Sequence, residues 1–235
     1  MLGPMPSLNA IVSNRRTVLL VDASSARVQA GLLRTGAPPL WHDSTREAGI
    51  AIFECVDAVM VAGQIAFPEV GALVYCEGPG SILGIRTAAM ALRTWQTLAD
   101  PAPPAYAYRS LTLVAADLRS AGEVPPFAVI SDARRASWNR VSIDGGTMGA
   151  ELERVSHETL ANSGESLFTL EGFRAWAPFP RPAREIPYRL PELWQRQGDA
   201  DLLQPSAQPD AFLHEDPTYV TWIPQIHQAA HSTRR

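Results

Sequence analysis

The apolar run Val70-Gly71-Ala72-Leu73-Val74-Tyr75-Cys76 opens directly into Glu77-Gly78-Pro79-Gly80-Ser81, and a helical pattern then runs from Ile82 to Ala99. Few folds accept that order. An unbroken apolar run of this length reads as a buried strand, and a strand buried on both faces needs helices to cover its sheet. On the helix that follows, Ile85, Ala88, Ala89, Leu92, Trp95 and Ala99 face one way. Arg86, Met90, Arg93 and Thr97 line the opposite face, where a methionine between two arginines suits either an adaptable contact surface or an ordinary solvated face.

The flanking segments extend this unit into a sheet. Thr17-Val18-Leu19-Leu20-Val21-Asp22 is an aliphatic run that ends on an acid, Ala23-Ser24-Ser25 turns the chain, and Val28 to Leu33 returns. That is a hairpin. A third short strand follows at Leu40-Trp41, after the turn Gly36-Ala37-Pro38-Pro39. Glu47 to Ala62 is helical by period: Ala48, Ile52, Cys55 and Val59 form one stripe, which Phe53, Val56 and Met60 widen. The arc exceeds the roughly 100° that a helix needs to cover a sheet. Either the helix is deeply buried, or it keeps a second apolar edge for another chain. With a strand at Ala105–Tyr108 and a helix from Ser110 to Ala121, the order is β-β-β-α-β-α-β-α, a mixed sheet covered by helices.

Gly122-Glu123-Val124-Pro125-Pro126 reads as a boundary between a lobe over 17–122 and a smaller, irregular lobe over 123–224. Phe127 to Asp132 again is an apolar strand ending on an acid, and Ser137 to Ile143 is its hairpin partner, so the Asp22 unit is echoed at Asp132. A helix around Ser156–Asn162 and a strand at Leu167–Leu170 follow. Pro178 to Pro191 holds five prolines in 14 residues and reads as extended and irregular. Tyr219-Val220-Thr221-Trp222 reads as a last strand, with residues 1–16 and 225–235 as flexible termini.

Composition narrows the chemistry. Apolar residues make up 46% of the 235 and charged residues 19%, enough for a sizeable core. No run approaches the roughly 18 apolar residues of a membrane span, and Met1 to Arg16 has no apolar segment of the secretory kind. Two cysteines, Cys55 and Cys76, build no disulfide framework, so a reducing cytoplasm is the expected setting. All 20 basic residues are arginine, which excludes a P-loop lysine and a Schiff-base lysine. The net charge of -4 argues against a broadly basic nucleic-acid surface.

The histidines offer no metal site: only His227 and His231 sit at helical ligand spacing, in a polar tail without a third ligand. No Gly-x-Ser-x-Gly and no His-Glu-x-x-His occurs. The anion-site candidate is Gly78-Pro79-Gly80-Ser81, where a strand meets a helix start and free backbone N–H groups favour a phosphate. The same spacing also fits a tight turn with Ser81 as N-cap. Asp22, beside Ser24 and Ser25, is placed either to hold a hydrated Mg2+ or to serve as a turn aspartate.

Taken together, these residues resemble the bacterial TsaB (YeaZ) family. The likeness rests on the strand ending Asp22-Ala23-Ser24, on Arg46-Glu47 opening a helix, and on Gly78-Pro79-Gly80-Ser81-x-x-Gly84-x-Arg86. Ser131-Asp132-Ala133-Arg134-Arg135, Pro209-Asp210-Ala211-Phe212-Leu213 and Pro217-Thr218-Tyr219-Val220 add to it, so that it spans roughly 17–222. Two departures stand out. Ala48-Gly49 follows Arg46-Glu47 where many members have a histidine, and Ile82-Leu83 replaces the usual Phe-Thr of the glycine loop, removing a hydroxyl near any bound phosphate.

The resemblance implies a two-lobed α/β fold of the actin, sugar-kinase and Hsp70 type (RNase H-like). It also implies a non-catalytic subunit that pairs with a TsaD-like protein, together with a TsaE-like ATPase, in making threonylcarbamoyladenosine in tRNA. tRNA would be met only through that complex, and the subunit alone is left as either a homodimer or a monomer. Pairing in the family uses the first two helices of the N-terminal lobe. The expected interface residues here are Ile52, Cys55, Val59, Arg86, Met90, Arg93 and Thr97. Asp22, Ser24, Gly78, Gly80 and Ser81 are the expected contacts of any ATP or ADP with Mg2+, at or near the partner interface. The alternative is a phosphotransferase of the same fold, with Asp22 and Asp132 as its acids, or less favourably a peptidase, for which neither nucleophile nor metal is evident.

Overall fold

The computed structural model describes residues 5–145 and 151–212. β1 (Thr17–Asp22), β2 (Val28–Arg34) and β3 (Leu40–Ser44) form an antiparallel meander. α2 (Ala48–Gly63) and a short 3-10 turn (Phe67–Glu69) lead to β4 (Ala72–Gly78), which lies parallel to β1. α3 (Ile82–Leu98) then crosses to β5 (Ala105–Arg109), parallel to β4, and α4 (Ser110–Ser120) follows. The second half repeats the pattern with β6 (Phe127–Asp132), β7 (Ser137–Ile143), β8 (Glu153–Ser156), α5 (His157–Ala161), β9 (Ser166–Leu170) and β10 (Ala183–Ile186). α6 (Leu190–Gln197) and β11 (Gln204–Ser206) end the described chain, and α1 (Leu8–Arg15) precedes it all.

The two sheets share one topology. The first runs β11-β5-β4-β1-β2-β3 and the second β10-β9-β6-β7-β8, so β5-β4-β1-β2-β3 and β10-β9-β6-β7-β8 correspond strand for strand. The acid-tipped strands β1 and β6 take the same central place in each. Their aliphatic character follows from that place: Val18, Leu19, Leu20 and Val21 are all fully buried, because helices cover both faces of the sheet. On one face Leu19, Val21, Leu73 and Tyr75 pack with α2 and α3. On the other, Val18, Leu20 and Val74 join α4, α6 and the inner residues Phe127, Val129 and Phe168 of the second sheet in one core.

One core joins the two sheets across residue 122. α4 packs on β6 and β7 as well as on β4 and β5, and it is buried nearly all round through Leu111, Leu113, Val114, Ala115 and Leu118. At about 2 kcal/mol for each fully buried large aliphatic, this one helix ties the halves together. β11, late in the chain, returns to the edge of the first sheet beside β5. Residues 8–15, expected within a flexible terminus, form α1, capped by the Ser7 hydroxyl and docked through Leu8 and Ile11. The proline-rich segment is also more ordered than its composition implies. β10 pairs in parallel with β9 inside it, and Pro191 sits in the first turn of α6, where no backbone N–H is needed. The strand expected at Tyr219–Trp222 and the tail from Gln225 lie outside the described residues.

Candidate functional site

β1 and β4 are neighbours, so their C-terminal ends bring Asp22, Ser24, Gly78, Gly80 and Ser81 together. The geometry closes the site upon itself. Asp22 has no exposed surface, and its carboxylate accepts four hydrogen bonds. Oδ1 accepts from the backbone N–H and the hydroxyl of Ser24, both at 2.7 Å. Oδ2 accepts from the hydroxyls of Tyr108 at 2.5 Å and Tyr188 at 2.7 Å. Burial, and after it the charge of Asp22, pushes both phenols well above the ordinary tyrosine value, so they stand as neutral donors. A hydrated Mg2+ would need Asp22 lone pairs that these donors already occupy.

The glycine loop is equally committed. Ser81 N–H donates to the Ser24 carbonyl at 2.7 Å, and the Ser110 hydroxyl donates to the Pro79 carbonyl at 2.7 Å. A Cβ on Gly80 would lie 2.2 Å from the Ser24 carbonyl oxygen, and one on Gly84 would lie 2.2 Å from that of Ala23. These glycines let the loop sit directly on the β1–β2 turn rather than on a ligand. Ser81 caps α3, its hydroxyl accepting from Gly84 N–H at 3.3 Å. The inner side of the glycine loop therefore rests on Ser24 and the β1–β2 turn, while Ser81 stays exposed at the start of α3. Asp132, the other expected acid, caps loops in the same way: its oxygens accept the backbone N–H groups of Arg134, Trp176 and Ala177.

Tyr108 and Tyr188 carried no signal in the sequence. Tyr188 lies 166 positions from Asp22, inside the proline-rich segment. Gln29 fastens the same segment, donating to the Tyr188 carbonyl at 3.1 Å and accepting from Leu190 N–H at 2.9 Å. Neither cysteine is poised as a nucleophile. Burial, with Asp43 and Glu54 adding to it, pushes the Cys55 thiol up to about 11, and burial raises Cys76 well above its usual value. Among the described residues, no group of three or more His, Cys, Asp or Glu side chains is arranged to hold a metal, and no helix is long and apolar enough to cross a membrane.

The open surface lies on the other side of the sheet, along α2 and α3. Ile52, Cys55 and Val59, expected at an interface, are at most 1% exposed and pack in the core. They form the inner stripe of the wide apolar arc. Of the residues that widen it, Val56 and Met60 are buried and Phe53 is 52% exposed; Ile50 and Val61, outside that arc, are 45% and 70% exposed. On α3, Leu83, Met90 and Leu98 are likewise exposed, and so are Arg86 and Thr97. Arg93 is partly withdrawn, since it pairs with Asp210 at 3.0 Å and donates to the Pro209 carbonyl, pinning that segment to the helix. Between the helices runs a groove of about 610 Å3 floored by Val56, Met60, Ile65 and Trp95. Phe53 meets the Trp95 ring edge-on at 6.1 Å.

Among solved structures, YeaZ from Pseudomonas aeruginosa superposes with a TM-score of 0.59 over 84% of this chain and 99% of its own, at 19% identity. The fold is that of YeaZ. A second structure, described as an uncharacterized protein with similarity to peptidase YEAZ from Pseudomonas aeruginosa, matches with a TM-score of 0.52 over 66% of this chain and 74% of its own, also at 19% identity. No protein-family model matches the chain, and no curated protein matches it. The YeaZ fold accounts for the paired sheets with mixed strands and for the helices that flank them, the two-lobed actin/sugar-kinase type.

Proposed function

We propose that the chain is a non-catalytic docking subunit of the TsaB (YeaZ) type, which binds a TsaD-like protein through the outer edges of α2 and α3. The observation that carries this reading is the contrast between two surfaces. The acid that a phosphotransferase would use is enclosed by Tyr108, Tyr188 and Ser24, whereas Phe53, Val61, Leu83 and Met90 stand in solvent beside a groove. Apolar side chains in such a row mark an association surface. In this reading the subunit supports threonylcarbamoyl transfer to adenosine in tRNA, works with a TsaE-like ATPase in the cytoplasm, and meets tRNA through the complex. Any ATP or ADP with Mg2+ belongs to the surface formed with the partner, not to the Asp22 loop.

Size-exclusion chromatography with light scattering, on the protein alone and mixed with the TsaD-like protein of the same genome, tests the reading. A one-to-one complex that Met90→Asp abolishes supports it. A second copy of the chain occupying the same edge would appear as a dimer of the protein alone that the partner fails to displace.

A further inference from the structure

The turn between β6 and β7 meets the loop after β9 at an exposed corner of the second sheet. Asp132 joins them: Oδ1 accepts from Arg134 N–H at 2.5 Å, and Oδ2 accepts from Trp176 and Ala177 N–H at 2.7 and 3.0 Å. Arg134, Arg135 and Ala136 are all left-handed, with φ of 63, 51 and 56°, a conformation that non-glycine residues avoid. Trp176 is 56% exposed, and the guanidinium groups of Arg174 and Arg134 lie 3.7 and 4.9 Å from its ring centroid. Beside it opens a cavity of about 330 Å3, lined by Asp132, both turn arginines, Ala136, Trp176 and Ala177.

Positive charge exceeds negative at this corner, where Arg134, Arg135 and Arg174 surround the single carboxylate of Asp132. Among the described residues, Arg134, Arg135 and Arg174 take part in no ion pair. Asp132, the one acid that lines the cavity, is already turned to three backbone N–H groups. Arg154 adds a fourth cation at the turn, its Nε donating to the Ser137 hydroxyl at 2.8 Å. In a chain of net charge -4 this is a local concentration of arginine around one half-exposed indole.

We propose that this corner binds single-stranded nucleic acid, taking one unpaired base against the Trp176 ring and the guanidinium groups beside it and the flanking phosphates on Arg134, Arg135 and Arg174. Unstacked bases are held on aromatic rings and arginine planes, and sequence-tolerant binding combines such stacking with cations along the backbone. An acidic peptide would use the charges and leave the exposed indole without a role. The corner shares no residue with the α2–α3 edge, so the inference does not rest on the docking reading.

Fluorescence anisotropy of a labelled ten-nucleotide RNA with the full-length protein tests it. Three arginine–phosphate contacts predict a log–log salt slope of about -2, at roughly 0.7 per contact for a single strand. Trp176→Ala and Arg135→Glu are each expected to weaken binding roughly tenfold, the scale of one stacked base, while Arg15→Glu on α1 leaves it unchanged. Arg135 is exposed and unpaired, so Arg135→Glu keeps the test valid should Trp176→Ala disturb folding. No binding at about 50 mM salt, or equal binding by the wild type and both corner variants, overturns the proposal. Competition by a polyglutamate peptide as strong as by unlabelled RNA also overturns it, in favour of an acidic-peptide site.

Discussion

Tyr188→Phe removes one hydroxyl from the closed Asp22 site and leaves the ring in place. The lost bond, 2.7 Å to Oδ2, is a donor to a fully buried carboxylate. Hydrogen bonds to charged groups contribute about 1.5–3 kcal/mol, and Tyr108 still serves the same oxygen, so the expected loss is about 2 kcal/mol. For a chain of this size that corresponds to a fall in Tm of about 4–8 °C. The bond also joins the proline-rich segment to the first sheet, so amide exchange over residues 188–190 should quicken with it. Thermal and urea denaturation of wild type, Tyr188→Phe, Asp22→Asn and the double variant measure the coupling directly. Additive losses, or a Tyr188→Phe effect below about 0.5 kcal/mol, would refute the view that Asp22 is a structural anchor.

Other outcomes follow from the same geometry. Gly80→Ala sets a Cβ 2.2 Å from the Ser24 carbonyl, a backbone clash that should destabilise by about 3 kcal/mol or more in a urea melt, whereas a neutral result would mean the loop is not seated on the turn. Met90→Asp, at an exposed position, should leave the melt within about 0.5 kcal/mol of wild type, Phe53→Asp should cost about 0.5–1.5 kcal/mol through its lost contact with Trp95, and each should prevent the partner complex in light scattering. Stability should decline at alkaline pH. Tyr108 and Tyr188 titrate near 10 when unfolded and well above that when folded, so the folded state holds their protons longer and its advantage is lost as pH rises past about 10. Cys55, raised from 9.0 to about 11, starts the decline nearer pH 9, and Tyr188→Phe should flatten it in denaturation curves taken at successive pH values.

What the sequence displayed was whatever has a local period. β1, β4 and β6 were legible because strands covered on both faces are unbroken aliphatic runs, and the glycine loop was legible because β4 runs straight into it. β8, β10 and β11 have four, four and three residues, too few to set an alternation. α6 buries Leu190, Leu193, Trp194 and Gln197 at helical spacing, but it begins among prolines that disguise it. Proximity of Asp22 to Gly78–Ser81 was readable through the family resemblance, and the parallel pairing of β1 with β4 accounts for it. Closure was not, because it depends on Tyr188 arriving from the far end of the chain. On α2 the periodicity identified a wide apolar arc but not its orientation. Seating it on β2 buries Ile52, Cys55 and Val59 and turns Ile50, Phe53 and Val61 outward.

The docking claim is met most directly by light scattering of an equimolar mixture of this protein and the TsaD-like protein of the same genome. The account predicts a single one-to-one species, lost with Phe53→Asp and with Met90→Asp but retained with Asp22→Asn once that variant is shown to be folded. Two separate peaks in the wild-type mixture, with or without ATP and Mg2+, would contradict it. So would a complex that survives both edge variants.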